Sequence, residues 1–166
     1  MKFMNLWKYY DNNQTQLIYP NVLNHIHEKE IAKTNPKWAF EFVKKYGKDE
    51  DLEPAIAKNA EYSYMYARFV LMKKPFPLGE PAIAKSAYFS ILYADQIING
   101  KFELGEKAIA ESDYQSFTYA RDILKGPFPL GEPVIAKSTE YSKKYTQEIL
   151  KKDFYLDGKL ICKYKG

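Results

Sequence analysis

The chain has 166 residues, 46% of them hydrophobic and 16% aromatic, with 25 Lys and Arg against 21 Asp and Glu for a net charge of +4. That length suits one domain or one short array, and the apolar content supports a packed core over disorder. No uncharged apolar run reaches the roughly eighteen residues of a membrane span.

The opening MKFMNLWKYYDNN holds no apolar run followed by a small-residue cleavage site, so a cytoplasmic location and no membrane partner are expected. Cys162 is the single cysteine, and His25 and His27 are the only histidines. Neither an internal disulfide nor a metal site is indicated, and no cofactor is expected.

In chain order, residues 1–27 read as an N-terminal cap in which Phe3, Leu6, Trp7, Tyr9 and Tyr10 cover the first helix pair. Residues 28–52 read as a degenerate repeat, EIAKTNPKWAFEFVKKYG from Glu30. In it Trp38, Ala39 and Phe42 take repeat positions, and Gly47 cuts the long helix short. Four fuller copies of about 26 residues follow, at 53–79, 80–105, 106–131 and 132–166, the last including a capping tail. Self-similarity at that period predicts an all-α, α-solenoid-like array of short-long helix pairs with N- and C-terminal caps.

Each copy opens with a short helix at Glu53, Glu80, Glu106 or Glu132, usually followed by proline, which the first helical position tolerates. Ile56, Ile83, Ile109 and Ile135 point inward from it. Asn59, Ser86, Ser112 and Ser138 are suited to cap the longer helix, and Ser112 with Gln115 spells a capping box. The longer helix carries a buried stripe at i, i+3, i+4, i+7 and i+8, here Ser63, Tyr66, Ala67, Val70 and Leu71 and their counterparts. It is expected to stop near Gly100 or Gly126 in a left-handed residue. Phe76, Phe102, Phe128 and Phe154, with Leu78, Leu104, Leu130 and Leu156, are expected to pin the connections to the core.

The words EPAIAK, YAR and FPLGE resemble short α-helical repeat proteins, with units like EPAIAKDPEYAYxYAxxVLKGRFPEGE, that are frequent in bacteriophage and large-virus genomes. The likeness covers about 130 residues. It implies a phage or prophage origin and a host-directed accessory factor, and it brings no catalytic or binding residue.

Function is therefore sought where the copies differ. The face opposite the stripe holds Glu61, Tyr64, Met65 and Arg68, then Tyr88, Ile91, Leu92 and Asp95, then Tyr114, Phe117, Thr118 and Arg121, and finally Glu140, Lys143, Lys144 and Gln147. Two coverings account for the apolar members. They pack against a neighbouring repeat, or they form an exposed partner-binding groove of Tyr64, Arg68, Tyr88, Ile91, Tyr114, Phe117 and Arg121. The groove reading takes Lys143, in the column of Tyr64, Ile91 and Phe117, as a sign that the column is open.

From Lys143 to Gly166 there are seven lysines against Glu148, Asp153 and Asp157, which accounts for the whole net charge. Lys143, Lys144, Lys151 and Lys152 are the alternative, a nucleic-acid-binding tip. No glycine-rich phosphate loop, GxSxG or HExxH occurs, and the recurring glutamates sit where helix N-termini favour a carboxylate. The expectation is a non-enzymatic binding protein that sterically inhibits a host protein such as a defence nuclease, for instance a CRISPR effector.

Overall fold

A computed structural model describes residues 19–166, with side chains from residue 24 onward, so the greater part of the expected cap, 1–18, lies outside the described residues. α1 (Tyr19–Ala32) packs on α2 (Pro36–Tyr46). Four short-long pairs follow: α3 (Glu53–Ile56) with α4 (Ala60–Met65), α5 (Glu80–Ile83) with α6 (Ala87–Tyr93), α7 (Glu106–Ile109) with α8 (Asp113–Thr118), and α9 (Glu132–Ile135) with α10 (Thr139–Lys144). Each short helix packs on the long helix of the preceding unit, and successive long helices pack on one another. The chain is all-α in class, with the helices in series. The one exception among the described residues is a terminal antiparallel hairpin, β1 (Phe154–Leu156) with β2 (Lys159–Cys162).

Local chemistry explains the unit. The short helices are single turns opened by Glu-Pro or, at α7, Glu-Lys. Asn59 Oδ1 accepts from Tyr62 N–H at 3.1 Å, and the Ser86, Ser112 and Ser138 hydroxyls accept at 3.3–3.4 Å from the third residue onward, which caps the long helices. Only half of the capping box forms at Ser112, whose own N–H donates to the Ile109 carbonyl at 3.3 Å. The degenerate repeat differs from expectation in one respect. Glu30–Ala32 do not make a separate short helix but form the last turn of α1.

The stripe is the core. Tyr66, Tyr93, Tyr119 and Tyr145 are fully buried beside Ile56, Ile83, Ile109 and Ile135. Ser63, Ser90 and Ser116 donate to the carbonyls of Ile56, Ile83 and Ile109 at 3.0–3.2 Å, closing the short helix on the long one. Each tyrosine hydroxyl donates to the glutamate that opens its own short helix, at 2.7–3.2 Å. Three of them also accept the backbone N–H of Phe76, Phe102 or Phe128 from the preceding connection, at 2.7–2.9 Å. The glutamates thus have a partner besides the helix end.

From the tyrosine column onward the long helix of each of the four fuller copies widens into a π-helical stretch, Tyr66–Val70, Ala94–Ile98, Tyr119–Leu124 and Tyr145–Leu150. The left-handed residues that end these stretches are Asn99, Lys125 and Lys151, with Met72 and Lys73 in the first copy, and not Gly100 or Gly126. In the connections Phe76, Phe102, Phe128 and Phe154 are buried as expected. Leu78, Leu104 and Leu130 are not, and lie exposed on the far side of each turn. The phenylalanine fills the space under the turn, and its second neighbour is turned outward.

Candidate protein-binding face

At 3.6 residues per turn, the second and sixth residues after a cap lie about 40° apart, opposite the buried stripe, with the fifth about 60° from the second. The ninth follows in the π-helical stretch, beside the fifth. The outer face so defined carries Glu61, Met65 and Arg68 on α4 and its extension, Tyr88, Leu92 and Asp95 on α6, Tyr114, Thr118 and Arg121 on α8, and Glu140, Lys144 and Gln147 on α10. Tyr88 is 59% exposed and Tyr114 56% exposed, in the same column of adjacent helices. Each ring leans on an aromatic beside it, Tyr88 on Phe89 at 5.1 Å and Tyr114 on Tyr141 at 5.8 Å between centroids. Such support holds a large apolar surface toward solvent with little side-chain freedom left to lose.

The fifth column is elsewhere. Tyr64 is 4% exposed and Phe117 2%, and Ile91 is half-buried and packed on the core. The two aromatic members meet third-column aromatics of the following repeat, Tyr64 with Phe89 at 5.9 Å and Phe117 with Tyr141 at 5.7 Å, as Phe40 of α2 meets Tyr62 at 5.9 Å. The exposed ladder of Tyr64, Ile91 and Phe117 is therefore corrected to a seam between repeats. Lys143 is exposed in that column in the unit that no further repeat covers among the described residues, so it says nothing about the inner copies.

The arginines divide as well. Arg68 is half-buried and donates through Nη1 to Tyr64 Oη at 2.7 Å, while that hydroxyl donates to Gln96 Oε1 of the next repeat at 2.7 Å. Arg121 is exposed, lies over the Phe117 ring at 5.1 Å, and forks onto Asp122 at 2.7 and 2.8 Å. Its hydrogen bonds hold the Asp122 carboxyl below the usual carboxylate range.

The sequence reading missed Phe69 and Met72, both strongly exposed at the outer end of the first full copy. A signal was present. The column of Phe69 holds Lys45, Gln96, Asp122 and Glu148 in the other copies, so an aromatic there is out of pattern. The outer face thus runs from Met65 through Leu92 and Tyr88 to Tyr114, with Arg68, Asp95 and Arg121 among them and Phe69 under Arg68 at its edge. These side chains can stack, fill recesses and hydrogen-bond, which is the chemistry of recognition.

At the tip, Lys143, Lys144, Lys151 and Lys152 are all exposed. Lys144 is engaged by Glu140 at 2.6 Å and lies over Tyr141. His25 sits on α1 against Phe42 and Tyr46, and among the described residues no three His, Cys, Asp or Glu side chains gather as a metal site. None of the described helices is long and apolar enough to cross a membrane. No protein-family model, curated protein or solved structure matches the chain.

Proposed function

We propose that this chain is a non-enzymatic helical-repeat binding protein that grips a protein partner through the outer face of α4, α6 and α8. The observation that carries this reading is the pair Tyr88 and Tyr114, each flanked by another aromatic and more than half exposed, in a column that the outer copies fill with Glu61 and Glu140. The fold needs no aromatic there, since two other units do without one. Rigid aromatic anchors with an arginine at hand are what interface centres are enriched in.

The resemblance to phage and large-virus repeats gives this reading its direction. It makes the chain an accessory factor in the host-cell cytoplasm, covering the working surface of a host protein such as a defence nuclease, for instance a CRISPR effector. The alternative, nucleic acid at the tip, is favoured by Lys143, Lys151 and Lys152, which have no carboxylate within ion-pair distance among the described residues.

The test is capture from host lysate followed by rebinding of the purified captured molecule at two salt concentrations. The protein reading predicts a protein that survives nuclease treatment and rebinds with shallow salt dependence. Capture of DNA or RNA whose binding falls steeply with salt, and falls again when Lys143, Lys144, Lys151 and Lys152 are neutralised, would replace it with the alternative.

A further inference from the structure

The connections between repeats form a second surface, independent of the outer helix face. Leu78, Leu104 and Leu130 occupy one repeat position and are 52%, 60% and 54% exposed. The turn does not require them. In the first connection the same position is Asp51, exposed, within an equivalent 3-10 turn, Glu50–Leu52, that matches Glu103–Gly105 and Pro129–Gly131.

Lysines stand in the same connections. Lys73 and Lys74 precede Leu78, Lys101 precedes Leu104, and Lys125 precedes Leu130, all of them exposed. Lys101 is shared between Glu103 at 3.2 Å and Glu106 at 3.6 Å. Lys73, Lys74 and Lys125 have no carboxylate within 4.0 Å among the described residues. The hydrogen bonds from Phe76 and Phe102 N–H to the tyrosines of the following units hold these connections in one register along the array.

We propose that this lysine-leucine edge docks the protein on an anionic lipid surface, with the leucines entering the headgroup-acyl boundary and the lysines meeting the headgroups. The connections carry Lys73, Lys74, Lys101 and Lys125 against Glu103, a positive excess that favours an anionic occupant. A nucleic acid would supply phosphates but no apolar phase for three exposed leucines. A specific protein partner is read by residues that vary from copy to copy, as the outer helix face varies, whereas the exposed leucine recurs unchanged in three connections and suits a laterally uniform surface. Single leucines on separate turns also enter a fluid boundary at any spacing, where a rigid partner would need three recesses at the repeat distance. Shallow apolar insertion together with a basic cluster gives reversible attachment and needs no spanning helix.

The experiment is co-sedimentation of the full chain with phosphatidylcholine vesicles with and without phosphatidylglycerol. The expected result is binding that depends on phosphatidylglycerol. It falls on the order of tenfold in the triple variant Leu78→Ser, Leu104→Ser, Leu130→Ser, and again in Lys73→Gln, Lys74→Gln, Lys125→Gln, with circular dichroism unchanged. The single change Leu104→Asp, which copies Asp51, must show the same direction and guards against a folding artefact in the triple variant. Absent or equal binding to the two vesicle types would overturn the proposal. So would full retention by the leucine variants, or a DNA duplex that binds more tightly than the vesicles and ignores those variants.

Discussion

The hydroxyl of Tyr119 accepts from Phe102 N–H at 2.9 Å and donates to Glu106 at 3.2 Å, so one phenol ties a connection, a long helix and a short helix together. Removing only the hydroxyl leaves a buried N–H without a partner, so Tyr119→Phe is expected to cost about 1–3 kcal/mol. Removing the ring as well should cost roughly 3–5 kcal/mol in Tyr119→Ala, and thermal or urea melting separates the two. Burial pushes the Tyr119 phenol up to about 12, with the Glu106 carboxylate adding to the rise and the Phe102 N–H opposing it. Burial likewise raises Tyr66, Tyr93 and Tyr145. Because the unfolded phenol loses its proton first, the contribution of these tyrosines to stability is constant below about pH 10 and falls as pH rises toward the folded value. A tyrosinate absorbance titration should show these four ionising only with the loss of helicity. If they ionise with the exposed tyrosines while the fold persists, the clasp is wrong. The burial of this column was legible from helical periodicity. Its partners were not, since the glutamate lies 13 residues and the amide 17 residues upstream, and no local rule links them.

Elements met by a short-range rule were also legible. The caps at Asn59, Ser86, Ser112 and Ser138 and the Glu-Pro starts follow from groups within one turn. The π-helical stretches follow no local rule and were not legible, whereas the terminal hairpin had a local signal that went unread, Asp157-Gly158, both at positive φ between the two strands. Close stacking is most evident at Gly79, Gly105 and Gly131, where a Cβ would stand under 3.0 Å from the serine of the preceding long helix, Ser63, Ser90 or Ser116. Gly105→Ala should therefore cost about 1–3 kcal/mol through overpacking against Ser90 and Phe102. By contrast Gly100→Ala, with nothing within 4 Å of the added carbon, should melt close to the parent. Equal melting of the two variants would show that the short helix can slide away from its neighbour. The equivalent places in the first connection hold Ala39 and Leu52, both buried, so that junction is packed by a different pair.

At the scale of the whole molecule, the outer face depends on how the long helices lie side by side. Periodicity within one helix assigns residues to core or surface, and on that basis Tyr88, Tyr114 and Arg121 were placed correctly on the outside. It cannot say which flank meets the next helix. That is why Tyr64, Ile91 and Phe117 read as a groove when they are a seam, and why the charge at Lys143 misled. The consequence is measurable in Phe117→Ser, which should lose roughly 3–5 kcal/mol of stability by emptying the contact with Tyr141. Most direct for the central claim is the double variant Tyr88→Ser, Tyr114→Ser, measured on one preparation for melting and for binding of the rebound protein partner. The account predicts an unchanged melting temperature and binding weaker by at least ~2 kcal/mol, as for aromatic anchors at an interface centre. Undiminished binding by a folded double variant would contradict it.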